Sequence, residues 1–142
     1  MQLYLASMYE PENFGPGKVY AIARIKPLNL NVAGLYSHLT PKEEYVEKYK
    51  KMQIDYDQNI PASVLEAQKK AADYFKSVFY DQLKSFLIEL NKAAKEENKK
   101  MMELLPFEDG DTLVSQEKEG NSNYRGMVGG LLKKIGYEVI LK

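Results

Sequence analysis

The chain has no cysteine and no tryptophan, and a single histidine among 142 residues. Without cysteine there is no disulfide, no thiolate nucleophile and no thiolate metal ligand. A zinc site would have to be assembled from His38 and carboxylates, and no such cluster stands in the sequence, so neither a metal nor a cofactor is expected. Net charge is also lacking: Lys plus Arg number 20, and so do Asp plus Glu. A chain without net charge has no overall field to gather nucleic acid, so a DNA or RNA duplex is not an expected partner. A local basic pocket is compatible with that balance. No apolar run approaches the roughly 18 residues of a membrane span. The start, "MQLYLAS", has neither a basic region nor a long apolar stretch, so neither a signal peptide nor a membrane partner is expected. The expected compartment is the cytoplasm, of a cell or of an infected host.

What is present is the composition of an ordinary globular protein, 44% hydrophobic and 28% charged. The length suits a single α/β domain over residues 1–142, able to bury a core without staples. "LYLAS", residues 3–7, reads as a buried strand. "MYEPENFGPG" follows as a turn rich in Pro and Gly. "KVYAIAR", Lys18 to Arg24, reads as a second strand. "IKPLNLNVAGLYSHLTP" reads as irregular. Thr40 is placed to cap a helix whose first residue is Pro41, a favoured first position. Its acids come first and its lysines last, which suits the helix dipole.

A second helix starts near Pro61 or Ala62. Its apolar stripe, from Val64 through Phe75, Phe79, Leu83 and Phe86 to Leu90, predicts a long amphipathic helix of roughly seven turns. "PFEDGD" is a turn, and its three acids read as solvated turn formers. "TLVS", residues 112–115, reads as a strand. A helix from about Asn123 to Lys134 ends at Gly136, a natural stop. "YEVIL" closes the chain as a strand. Strand-helix-strand at the end predicts a parallel pair with a right-handed crossover. The expected fold is therefore α/β: a small mixed sheet, a C-terminal parallel strand-helix-strand unit, and the long amphipathic helix packed on it. In open α/β sheets ligands sit beyond the carboxyl ends of the strands. Here that edge collects the residues after Ser7 and after Ser115.

The stretch "EKEGNSNYRGMVGGLLKK", residues 117–134, draws particular notice. It puts an arginine at a helix start and then thins the helix with Gly126, Gly129 and Gly130, although interior glycine costs about 1 kcal/mol relative to alanine. A helix start leaves backbone N–H groups unpaired and carries partial positive charge, a ready place for phosphate or carboxylate. Arg125 is the residue type that grips such an anion with two parallel hydrogen bonds. An ordinary cap, with Arg125 paired to Glu117, accounts for the same residues about as well. The spacing is neither a phosphate-loop nor a dinucleotide fingerprint.

Three stretches together resemble the domain-of-unknown-function family numbered 488. "AIAR" at 21–24 resembles that family's "SIAR" element, and "YSHLTPKEEYVEKYKK" resembles its tyrosine-containing region ending in "YK". "TLVSQEKEGNSNYRGMVGGLLKKIGYEVIL" resembles its closing segment, in which a strand ends in cysteine and "EK" before Cys-His-Arg, a helix and "GYEV". The resemblance spans most of the chain, and its departures are specific. The strand-end cysteine falls at Ser115, and Cys-His-Arg falls at Asn123, Tyr124 and Arg125. Glu117, Lys118 and Arg125 keep the pattern. Thiolate chemistry is thus closed to this chain, and what persists suits binding.

The expected function is accordingly non-enzymatic: binding and sequestration of a small anionic, nucleotide-derived ligand, such as a cyclic nucleotide or an ADP-ribose-type immune signal, by a viral anti-defence protein. The expected ligand-binding residues are Ser7, Tyr9, Glu10, Asn13, Phe14, Arg24, Tyr36, Ser115, Glu117, Asn123, Tyr124 and Arg125. Arg125 and Arg24 would hold phosphate. Tyr9, Phe14, Tyr36 and Tyr124 would stack on a ring, and Asn13 or Glu10 would read polar edges. One alternative is an enzyme acting on a nucleotide or glycosidic bond, with Glu10, Glu117 or His38 as acid–base groups. Another is a protein-interaction module forming a homo-oligomer through the long helix.

Overall fold

The computed structural model describes residues 1–54, 61–115 and 124–142, leaving aside the side chains at 53, 54, 61–63 and 124. In chain order the elements are strands β1 (Gln2–Ser7), β2 (Val19–Ala21) and β3 (Gly34–Leu35), helices α1 (Glu43–Ile54) and α2 (Pro61–Glu97), strand β4 (Asp111–Ser115), helix α3 (Tyr124–Ile135) and strand β5 (Glu138–Leu141). They divide into two compact units, Met1–Thr40 with Ser85–Lys142, and Pro41–Lys84.

The first unit holds a five-stranded sheet in the order β3-β2-β4-β1-β5. Every pairing is parallel. The α/β class and the closing strand-helix-strand unit are as the sequence predicts, and the mixed sheet is corrected to a parallel one. β3 is the strand missing from the sequence reading. It has two residues, too few for any alternation to register.

Strand pairing assigns the two faces. Ala6, Val114 and Ala21 share one register level, and Leu5, Leu113 and Tyr20 the next. Side chains alternate along a strand, so Ser7 and Ser115 fall on the same face as Leu5 and Leu113. Helix α3 lies on that face, since a Cβ built at Gly129 would stand 3.2 Å from Leu5 Cδ1 and 3.5 Å from Val139 Cγ1. The last part of α2 also belongs to this unit, and its Phe86 lies against Tyr36 and His38. Tyr20, Phe107 and Tyr36 extend this aromatic group edge to face.

On the opposite face lies the connection from β1 to β2. It is only residues 8–18, short for a parallel crossover, which usually takes a dozen or more residues and a helix. It descends over the Ala21, Ala23 and Val114 cluster with Met8 and Phe14 packed against it. Gly15 N–H donates to Thr112 Oγ1 at 2.8 Å and Gly17 N–H to the Gly110 carbonyl at 2.9 Å, which delivers the chain to the start of β2. Leu30 and Val32 of the β2–β3 connection pack on the same cluster.

The second unit is α1 with the first part of α2, joined by aromatic contacts. Tyr49 meets Phe75 at 5.6 Å and Phe75 meets Phe79 at 5.8 Å between ring centroids. Ala71, Phe79 and Leu83 of α2 are buried, as the apolar stripe predicts, and so is Ala67 outside it, whereas Leu65 of the stripe is exposed. The start of α1 differs from the sequence reading. Thr40 is extended and closes the preceding turn Ser37–Leu39. The first helical hydrogen bonds go to the Lys42 carbonyl, from Tyr45 N–H at 3.0 Å and Val46 N–H at 3.3 Å, so Lys42 and not Thr40 opens the helix.

Candidate functional site at the carboxyl edge of the sheet

In a parallel sheet all carboxyl ends lie on one edge. Here β1 and β4 are adjacent, and Ser7 pairs with Ser115 at their last register level. After these residues the two chains part. The β1 connection leaves over the face that carries Phe14, and β4 continues to α3 on the other face. Adjacent strands whose continuations leave for opposite faces make a topological switch point, and the crevice beyond it is where open α/β sheets bind ligands.

Two serines flank that crevice, each only 1% exposed. Ser7 Oγ accepts the Tyr9 N–H at 3.3 Å, and the Ser7 carbonyl accepts the Glu10 N–H at 3.1 Å. The Ser115 carbonyl accepts the Met8 N–H at 2.8 Å. Ser115 Oγ, by contrast, is buried and has no hydrogen-bond partner among the described residues. A buried hydroxyl left unpaired costs about 1–3 kcal/mol. Native interiors rarely keep one without a reason such as a catalytic role or a missing water or ion.

Helix α3 returns from this edge to the amino edge, where β5 begins, so its amino-terminal backbone N–H groups lie on the Ser115 side. Arg125 in its first turn is half-buried. A Cβ built at Gly126 would meet nothing within 4 Å among the described residues.

The remaining expected site residues divide. Arg24 follows β2 and is exposed at the same edge. Tyr36 follows β3 there too, with its N–H donating to the Ala21 carbonyl at 2.8 Å. Its ring packs edge to face against His38, Phe86 and Phe107, and burial pushes its phenol up to about 12. Asn13 and Glu10 bond each other, Nδ2 to Oε2 at 2.8 Å, inside the turn Pro11–Asn13. Tyr9 is exposed on the same loop. Phe14 is not gathered with the serines, because its ring belongs to the apolar cluster on the opposite face. Glu117 and Asn123 lie outside the described residues, as does the side chain of Tyr124.

His38 received little weight from the sequence, where a lone histidine is a weak signal. It is exposed, with its ring stacked on Phe86 at 6.2 Å. Among the described residues no three His, Asp or Glu side chains group as metal ligands, and no helix is long and apolar enough to cross a membrane. Compared with models of protein families, with curated proteins and with solved structures, the chain matches none.

Proposed function

We propose that this chain binds and holds, without turnover, a small anionic ligand derived from a nucleotide, at the crevice between the ends of β1 and β4. The observation that carries this reading is the buried hydroxyl of Ser115 at the switch point, which has no partner among the described residues. A phosphate or carboxylate oxygen would accept its proton and would also meet the partial positive charge of the α3 amino terminus. Arg125, half-buried in the first turn of α3, is the residue type that would supply a full charge to it. No described residue stands within 4 Å of a Cβ at Gly126, which would let a ligand approach backbone N–H groups there. The absence of cysteine throughout the chain removes the thiolate that the resembled family carries at the position of Ser115, which favours holding a ligand over transforming it. In a virus-encoded protein this activity would sequester an immune signal such as a cyclic nucleotide or an ADP-ribose derivative.

The test is a release experiment. The protein is incubated with each candidate nucleotide, separated from free ligand and heat-denatured. Recovery of unchanged ligand is the expected outcome, and recovery of a product would replace sequestration with catalysis. Arg125→Ala is expected to weaken binding at least tenfold while the variant retains a cooperative melting transition. If binding survives that substitution unchanged, the anion site is elsewhere.

A further inference from the structure

The two edges of the sheet are built differently. β3 closes one side with only Gly34 and Leu35, too short to template a further strand. β5 closes the other with "EVIL", which runs on into Lys142. Its register with β1 is continuous from Glu138 to Leu141, with no bulge, and it holds no proline. Edge strands usually carry such a device against pairing with another chain. The bonds to β1 fix which way the β5 backbone groups point. Glu138 N–H donates to the Met1 carbonyl and Lys142 N–H to the Leu5 carbonyl, both at 2.9 Å. These groups alternate along a strand, so Ile140 also turns toward β1, and Val139 and Leu141 turn their N–H and C=O groups outward. Among the described residues no strand or loop pairs with that outer side. Side chains alternate as well. Val139 and Leu141 share the face that carries α3, and Glu138, Ile140 and Lys142 share the other. Glu138, Leu141 and Lys142 are exposed.

We propose that β5 is a dimerisation edge whose occupant is β5 of a second copy of this chain, antiparallel, with the two-fold axis at Ile140. The backbone and the charges select the same register. Val139 of each copy then faces Leu141 of the other, and each such pair exchanges both of its outward N–H···O bonds. Glu138 of each copy faces Lys142 of the other. These pairs fall at the non-hydrogen-bonded positions, where side chains stand closest, and opposite charges so placed stabilise the pairing. A slip of one residue sets outward groups against inward ones. A slip of two restores the hydrogen bonds but sets Glu138 or Lys142 against Ile140. A parallel copy in register would set glutamate on glutamate and lysine on lysine. "EVILK" is thus complementary to itself in one arrangement, which covers the exposed Leu141 with Val139 of the other copy and continues the sheet across an isologous contact. A contact of one short strand is small for an interface, so the dimer is concentration-dependent. Self-association lies in this arrangement at the sheet edge and not on the long helix.

Sedimentation velocity of the full chain, from micromolar to about millimolar concentration, tests this. The parent chain is expected to pass from monomer to dimer over that range. Leu141→Pro removes an outward N–H and leaves the bonds to β1 in place, so it is expected to remain monomeric and to keep a cooperative melting transition. Glu138→Lys and Lys142→Glu each set like charges across the axis, and each is expected to weaken dimerisation by about tenfold. Mixed in equal amounts, these two variants are expected to form a heterodimer of near-parental affinity, because opposite charges then meet at both ends of the strand. A parent chain that stays monomeric throughout overturns the proposal. So does a parent dimer that survives Leu141→Pro, since the interface then lies elsewhere. If the two charge variants dimerise as the parent does, or weaken alone without recovering on mixing, the antiparallel pairing at Ile140 is wrong.

Discussion

At the scale of single residues, two buried polar groups on the α3 side of the sheet have opposite fates. Asp111 is buried and fully employed. Its Oδ1 accepts the Lys18 N–H at 2.9 Å, and its Oδ2 accepts the Glu108 N–H at 2.8 Å. A Cβ at Gly17 would stand 2.4 Å from that carboxylate, which is why the chain passes it as glycine. Asp111→Asn replaces one accepting oxygen by a donor that faces a backbone N–H. It is expected to lower stability by about 1–3 kcal/mol in urea denaturation. Tyr137 is the reverse case: it is buried, and its hydroxyl has no partner among the described residues. Tyr137→Phe is expected to raise stability by about 1 kcal/mol, because an unsatisfied hydroxyl is removed. A fall of similar size would instead reveal a bound water that bridges it. The same phenol also predicts a pH dependence. Burial, then the neighbouring charges of Tyr36 and Asp111, push it up from 10.0 to about 12. Because the folded value lies above the unfolded one, its contribution is complete below pH 10 and is lost as pH rises toward 12. Unfolding midpoints between pH 9 and 11 should therefore fall less steeply in Tyr137→Phe than in the parent chain.

At the scale of elements, α3 shows how much a local pattern can reveal. Its end was legible, since Gly136 takes a φ of 124°, where a side chain would be strained, and its N–H closes the last turn on the Leu132 carbonyl at 3.2 Å. Its three interior glycines were legible as an anomaly but not as an explanation, because their neighbours come from elsewhere in the chain. Only Gly129 has a packing reason, facing Leu5 and Val139. A Cβ at Gly126 or Gly130 would meet nothing within 4 Å among the described residues. Gly130→Ala is expected to stabilise the protein by about 1 kcal/mol through helix propensity and to leave ligand binding untouched. Gly126→Ala is expected to give a similar gain in melting temperature together with weaker binding, because its methyl group would enter the space beside the first turn. If both substitutions stabilise and neither affects binding, the ligand does not approach that turn. The start of α1 was misplaced for a related reason: Thr40 has the chemistry of a cap, but the preceding turn had already claimed its backbone.

At the scale of the whole molecule, the α/β class followed from the order of apolar runs and helical stripes. Strand order did not, since β1 pairs with β4 and β5 rather than with its neighbour in sequence. Pairings between distant segments leave no mark on local periodicity. The candidate site was legible to a corresponding degree. Ser7 and Ser115 were expected at one edge, and they stand in register there. Phe14 carried the right chemistry for stacking, but in the short crossover its ring packs on the Ala21 and Val114 cluster. The ring contact between His38 and Phe86 was illegible because Phe86 lies far along the chain. That same pairing pattern bears on how the protein is made. "LYLAS" leaves the ribosome before either strand that flanks it, since both lie beyond residue 110. At roughly 5–20 residues per second, translation leaves this apolar strand with two bare edges for several seconds or more. A nascent chain arrested before β4 should therefore expose β1 to protease and to chaperones, and release of the full chain should protect it. The sheet is closed from its centre, and its first strand is the one that waits.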